Sequence, residues 1–308
     1  MTTTALRELA SRITGEVRFD EPLAGYTTYR IGGPAAALVF PSTTDDVVNA
    51  LEFAAETGSR WLALGLGSNV LVADRGFDGI VIRVGRGLDA VQRGAGGDET
   101  RWTVGAGAPT PLLARQTAAA GLAGLHRLVG VPGTVGGGVF MNAGAHGQDF
   151  SQVTQAVELV DGDGTVRSLA GSEIRWAYRS SGLGERVVVG ATVQLTPADP
   201  KELEKEIKQH FRWRKVGTPF NERCCGSVFR NPPAPDDGEA RSAGQLIDAL
   251  GLKGHRVGGA QVSPKHANYI VNTGHATASD VLAVIGQVQG KVLAEYGVEL
   301  QLEVRVIE

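Results

Sequence analysis

Gly65-Leu66-Gly67-Ser68-Asn69 sets two glycines and two hydrogen-bonding side chains within one short loop. Such a loop can turn its amides inward as an anion nest, with Ser68 and Asn69 adding bonds, or it can be an ordinary turn. A Rossmann fingerprint is excluded: the third glycine is missing and no long helix follows at once. No Walker A sequence occurs. A second stretch, Val131-Pro132-Gly133-Thr134-Val135-Gly136-Gly137-Gly138, continues into Met141-Asn142-Ala143-Gly144-Ala145. Bare main chain of this kind suits a flat, extended ligand lying against the backbone; the competing explanation is tight helix–strand packing. Together the two loops suit a ligand with a pyrophosphate and a large ring system.

Three later positions could act on a bound molecule. Arg179, in Tyr178-Arg179-Ser180-Ser181, carries a fork that can grip a carboxylate or a developing enolate, or form a surface ion pair. Ser227, in Gly226-Ser227-Val228-Phe229-Arg230-Asn231, does not sit in a G-x-S-x-G elbow and has no histidine at helpful spacing to make it a nucleophile, so taken alone it reads as a turn or capping serine. Glu303 alternates with Leu302 and Val304, so it shares one strand face with Arg305, either solvated or built into a site. Cys224 and Cys225 are adjacent, lack the C-x-x-C spacer and read as bystander thiols.

The elements that must position these residues follow from pattern. Leu6, Leu9 and Ile13 predict a short docking helix at the N-terminus. A buried strand at 37–40 precedes a helix that begins at the hydroxyls and acids of 42–46 and stops at Gly58. Strands at 61–64 and 70–72 follow, and this β-α-β order predicts a parallel pair with the glycine loop at a strand end. Further strands are expected at 80–84 and 102–104, then a helix opened by Pro109 and Pro111. Asp161-Gly162-Asp163-Gly164 predicts a hairpin between 155–160 and 165–169, and a long strand follows at 186–196. Pro197–Pro200 reads as a boundary. Beyond it come helices at 201–215, 245–250 and 279–296, strands near 258–262 and 268–272, and a closing strand at 299–307. No repeat occurs, and no low-complexity tract is longer than the loop Pro232–Gly238.

Composition narrows the class. The 308 residues carry 30 basic and 33 acidic side chains, a net charge of −3, which argues against an electrostatic grip on nucleic acid or anionic membrane. Glycine, 43 residues, is about twice its usual share. Two neighbouring cysteines make no disulfide framework, and no histidine–cysteine cluster has metal spacing. The first dozen residues read as neither a signal peptide nor a membrane span, so a cytoplasmic protein is expected.

As an ordered set, YTTYRIGGPA (26–35), GLGSNVLV (65–72), GVPGTVGGGVFMNAGAHG (130–147), YRSS (178–181), CGSVFRNP (225–232), AGQLID (243–248), GGAQVSPKHANYIVN (258–272) and LEVRVI (302–307) strongly resembles the UDP-N-acetylenolpyruvoylglucosamine reductases, flavoenzymes of peptidoglycan precursor synthesis. The resemblance runs from about residue 20 to the C-terminus. It implies an α+β fold: a two-subdomain FAD-binding region of the vanillyl-alcohol-oxidase (PCMH) type and a smaller α+β C-terminal substrate domain. The corresponding division is an N-terminal extension over 1–20, an FAD-binding domain over 21–197 (subdomains about 21–85 and 86–197) and a substrate domain over 198–308.

The activity implied is reduction of UDP-N-acetylglucosamine enolpyruvate to UDP-N-acetylmuramate, with bound FAD taking hydride from NADPH. Ser227 matches the serine that protonates the α-carbon, and Arg179 and Glu303 match the enolate-stabilising partners. Glu303 can hydrogen-bond the same oxygens only if protonated or bridged by arginine. Flavin contacts are expected from Arg30, Gly65, Gly67, Ser68, Asn69, Gly133, Thr134, Gly136, Gly137, Asn142 and Gly144. Substrate contacts are expected from Tyr178, Asn231, Lys215, Lys265 and Asn268, the lysines because a diphosphate needs cations. No metal, nucleic acid or membrane partner is expected, and a monomer is. The chain is similar to the compact second type of the family, which lacks an extra closing loop. It departs from the family at Thr218-Pro219 (usually Gln-Pro), at Cys224-Cys225 (usually Ser-Cys or Ser-Ala) and at Gly138 (usually alanine). Two other readings remain: another flavin oxidase of the same cofactor fold, which would not pair Ser227 with Glu303, and a colourless nucleotide-sugar binder.

Overall fold

Hydroxyl caps and left-handed glycines fix the helix ends. Thr43 caps the first long helix through its side chain, acids Asp45 and Asp46 occupy the first turn, and Gly58 ends it at φ +63°. The computed structural model describes residues 2–234 and 240–308; residues 235–239, most of the polar loop noted above, lie outside the described residues. In chain order the early elements are α1 (Thr3–Arg12), β1 (Glu16–Pro22), β2 (Pro34–Phe40), α2 (Thr44–Thr57), β3 (Trp61–Leu64), β4 (Val70–Val72) and β5 (Phe77–Arg83). Next come β6 (Val91–Gln92), β7 (Arg101–Gly105), α3 (Thr110–Ala119), β8 (Leu122–Ala123), α4 (Val135–Phe140), β9 (Gly144–Ala145) and β10 (Gln148–Asp149). The hairpin β11 (Thr154–Asp161) and β12 (Val166–Ala170) leads to β13 (Arg186–Gln194), β14 (Thr196–Pro197) and α5 (Pro200–Gly217). The chain closes with α6 (Ala243–Ala249), β15 (Arg256–Val257), β16 (Ala260–Val262), β17 (Ile270–Asn272), α7 (Ala278–Tyr296) and β18 (Arg305–Ile307).

These elements form two compact units, each drawn from separate stretches. The first takes the described residues of 1–21, 35–66 and 78–212; the second takes 22–34, 67–77 and 213–308. One break falls at Arg212/Trp213, inside α5 and beyond the Pro197–Pro200 turn.

The first unit holds a four-stranded sheet, ordered β1-β2-β5-β3, and a five-stranded sheet, ordered β12-β11-β13-β7-β6. The expected parallel pairing of the strands flanking α2 does not occur, because β5 lies between β2 and β3; β3 instead runs parallel to β5, Trp61 opposite Ile80. β1 has no counterpart in the expected elements; its polar, largely exposed residues hide a strand pattern. The hairpin forms as expected, antiparallel with Val160 opposite Val166. Side chains from both sheets and from α2, α3 and α5 share one core that includes Phe53, Ile80, Trp102, Phe150, Val157 and Leu203, all nearly or fully buried.

The second unit packs α6 and α7 with the antiparallel sheet β15-β16-β17 and a parallel pair, β4 with β18. Val281, Val284, Ile285, Val288 and Val292 form the buried stripe of α7. Its core also takes Tyr29, Ile31 and Leu71 from the early stretches. The expected closing strand is shorter, Arg305–Ile307, because the preceding residues pair irregularly with another segment: Phe229 bridges Leu302, and Arg230 N–H donates to Gln301 O (2.9 Å). Among the described residues no helix is long and apolar enough to cross a membrane.

Candidate functional site

The expected ligand residues divide between the units. In the first, the two glycine stretches meet: a methyl group added at Gly65 would stand 2.6 Å from Thr134 Oγ1. Thr134 in turn caps α4, its hydroxyl accepting from Gly137 N–H (3.4 Å). The glycine run is therefore not bare extended chain; Val135–Phe140 is a short helix. Two of its glycines serve protein packing: a Cβ at Gly136 would lie 2.7 Å from Ala106 Cβ, and one at Gly138 would lie 2.2 Å from the Phe150 ring. Gly137 faces outward, as does Leu66 in the first loop. Gly65 and Gly137 both face the Thr134 hydroxyl, and no side chain covers the exposed main chain at Gly137. That fits the flavin seat expected from the sequence.

Past α4 the chain reaches Asn142, buried, with φ +41°. Its Nδ2 donates to Ala177 O (3.0 Å), and its Oδ1 accepts from Ser151 N–H (3.0 Å). Ala177 opens the turn that carries Tyr178 and Arg179; Tyr178 is exposed and Arg179 lies over its ring at 4.8 Å. Arg179 Nη2 donates to Gly144 O (2.9 Å).

In the second unit, a Cβ on Gly67 would strike Tyr26 O at 2.3 Å, and its φ of +70° also requires glycine. Thr28 N–H donates to Gly67 O (3.1 Å) and the Thr28 hydroxyl to Cys224 O (2.6 Å), which fastens the glycine loop to the segment before Ser227. Asn69 Nδ2 donates to Glu303 O (3.1 Å), Arg305 N–H donates to Asn69 O (3.0 Å), and Glu303 N–H donates to Val228 O (2.8 Å). These bonds bring Asn69, Ser227 and Glu303 together; Arg179 belongs to the other unit.

Asn268 is nearly fully buried, and both ends of its amide engage Phe229: Nδ2 donates to the carbonyl (2.8 Å) and Oδ1 accepts from the N–H (2.9 Å). It clamps the segment beside Ser227. Asn231 is exposed and accepts from Ala243 N–H through Oδ1 (3.1 Å), while Lys215 and Lys265 extend from the surface. Arg30 is held at φ +58° with Nη1 on Gly25 O (2.7 Å). A left-handed backbone at Arg30 and Arg179 alike marks both as over-determined positions.

Tyr269 is a neighbour the sequence reading did not pick out. Burial raises the pKa of its phenol, and Arg214, 5.8 Å from the ring, and the nearby Ser227 hydroxyl oppose that rise. Nothing in an isolated Asn-Tyr pair signals this, because Ser227 and Tyr269 meet only through the Val228 N–H to Asn268 O bond (2.9 Å). Burial likewise pushes the Cys225 thiol far up, where it faces the Tyr29 hydroxyl, so the cysteine pair is chemically quiet. Among the described residues no group of histidine, cysteine and acidic side chains could hold a metal ion.

Comparison with known proteins places two family models on the chain. A model of an FAD binding domain matches residues 35–170, and one of the UDP-N-acetylenolpyruvoylglucosamine reductase C-terminal domain matches 218–307. The chain is 43% identical over 295 residues to the UDP-N-acetylenolpyruvoylglucosamine reductase of Halalkalibacterium halodurans, covering 95% of each. It is 38% identical to that of Bacillus subtilis, covering 98% of this chain and 97% of the relative. The crystal structure of the enzyme of that name from Thermus caldophilus superposes with a TM-score of 0.81 at 35% identity, covering 96% of this chain and 100% of the other.

Proposed function

The chain belongs to the UDP-N-acetylenolpyruvoylglucosamine reductases, and from that premise we propose that Arg179, Ser227 and Glu303 carry its chemistry. It is an FAD-dependent oxidoreductase of peptidoglycan precursor synthesis. Its substrate is UDP-N-acetylglucosamine enolpyruvate, reduced to UDP-N-acetylmuramate, and NADPH is the hydride donor. Bound FAD would supply the hydride chemistry between NADPH and the vinyl carbon of the substrate.

The chain's own residues supply the rest. Gly65, Gly67, Ser68 and Asn69 would hold the pyrophosphate; Gly133, Thr134, Gly137 and Gly144 would line the ring and ribityl chain, and Arg30 would approach the same cofactor. The Arg179 guanidinium stabilises the charge that grows on the substrate carboxylate as hydride arrives, and it does so most strongly where water is excluded. Glu303 shares that carboxylate. Ser227 gives its proton to the α-carbon, with Tyr269 as the nearest phenol to support the hydroxyl. Tyr178, Lys215, Lys265 and Asn231 meet the nucleotide sugar, and Asn268 acts one step back by holding Phe229. In this reading, residues 21–197 serve the flavin and 198–308 serve the substrate, and the protein works as a cytoplasmic monomer.

The supporting observation is the set of bonds that joins Asn69, Val228 and Glu303, residues far apart in sequence, at the residue next to Ser227. A bystander serine would not require that Glu303 and the glycine loop meet next to it. Anaerobic stopped flow on the Ser227→Ala holoenzyme tests the assignment. Flavin reduction by NADPH should stay near the wild-type rate, while oxidation by the enolpyruvyl substrate should slow about a hundredfold or more. Equal slowing of both half-reactions removes Ser227 from its role.

A further inference from the structure

The turn bearing Arg179 closes on itself: Ala177 N–H donates to Ser180 O (2.8 Å) and Ser180 N–H to Ala177 O (3.1 Å), with Arg179 at φ +57°. A non-glycine residue in the left-handed region persists only where its surroundings hold it. Here one short stretch does so. Phe140 O accepts from the Ser181 hydroxyl (2.7 Å), Asn142 Nδ2 donates to Ala177 O (3.0 Å), and Gly144 O accepts from Arg179 Nη2 (2.9 Å). The central member is Asn142. Its second amide hydrogen points to Asp149 Oδ2 (3.4 Å) and its oxygen accepts from Ser151 N–H (3.0 Å), so its donors and acceptor are all engaged within the protein.

We infer that Asn142 is a positioning residue for Arg179, its amide fixing the Ala177 carbonyl and with it the left-handed turn that presents the guanidinium. The inference rests on Arg179 acting on the substrate. It gives Asn142 a different task from that of a flavin ligand. Ser151 and Asp149 orient the amide, the amide orients the turn, and the turn orients the charge. A guanidinium displaced by a fraction of a bond length loses much of its value to a transition state, whereas substrate binding through other groups is little changed.

The test uses the holoenzyme with Asn142→Asp, which is isosteric and keeps the acceptor for Ser151 but loses the donor to Ala177, and with Asn142→Ala. Trypsin cleavage at the Arg179–Ser180 bond, followed by mass spectrometry, reads the turn itself. Cleavage there should accelerate about tenfold, while cleavage elsewhere is unchanged. Oxidation by the enolpyruvyl substrate should slow about tenfold or more, with kcat falling further than KM rises; FAD retention and reduction by NADPH should hold. Unchanged cleavage at Arg179, or loss of FAD with equal slowing of both half-reactions, overturns the inference. An Arg179→Ala enzyme that keeps its oxidative half-reaction would instead remove Arg179 from the chemistry, and the cleavage assay would still decide whether Asn142 holds the turn. With Arg179 already removed, adding Asn142→Asp should cost no further rate.

Discussion

Asp46 is a fully buried carboxylate that works at a helix start. It accepts from Thr14 N–H (2.6 Å), Gly15 N–H (3.1 Å) and Ser42 N–H (2.7 Å) and from the Thr14 hydroxyl, which joins the end of α1 to the start of α2. Burial alone would raise its pKa, but these donors outweigh burial and hold it below the usual aspartate value. A depressed folded value means that the stabilisation is complete above the unfolded pKa, about 3.9, and is lost as pH falls through the lower folded one. Asp46→Asn should therefore lower stability at pH 7 by about 2–3 kcal/mol, measured by urea unfolding. The gap between variant and wild type should close as pH drops below about 4. A gap that persists in acid would mean the charge is not what those donors hold.

At the scale of elements, α4 shows why the glycine run was hard to read. A run such as Gly136-Gly137-Gly138 has no side-chain periodicity, so it carries no helix signal, and its use lies in what presses against it. Phe150 fills the space that a Gly138 side chain would occupy. Gly138→Ala should cost about 1–3 kcal/mol of stability, and Phe150→Leu added to it should restore part of the loss, both read from denaturation midpoints. Additive losses would place the strain elsewhere. The helix with marked ends was legible: Thr43, Asp45 and Gly58 spell out α2. So was the Asp-Gly-Asp-Gly hairpin. Sheet order was not, since the insertion of β5 between β2 and β3 depends on contacts that no local pattern records. For the candidate site, Ser227, Arg179 and Glu303 stood out only through the resemblance of the ordered motifs to the reductases, since each alone reads as an ordinary turn, ion-pair or strand-face residue. Asn142 and Asn268 were expected as ligand contacts, but their work as hydrogen-bonding supports shows only in the structure, and Tyr269 was not expected at all.

The whole molecule is interleaved. Tyr29, Ile31 and Leu71 fill the core that α6 and α7 also line, while Leu203 and Ile207 of α5 belong to the other core. A fragment of residues 198–308, although it spans the matched C-terminal region, should therefore lack a cooperative thermal transition and a dispersed amide spectrum. A sharp transition in that fragment would show that the early stretches are dispensable. The pairing of β4 with β18 has a consequence for synthesis as well. Val70, Leu71 and Val72 leave the ribosome long before Arg305, Val306 and Ile307, their hydrogen-bonding partners, have been translated. The nascent chain must carry an apolar, unmatched strand edge until β18 has been made, so aggregation on the polysome is the hazard built into this topology, and synthesis of β18 relieves it.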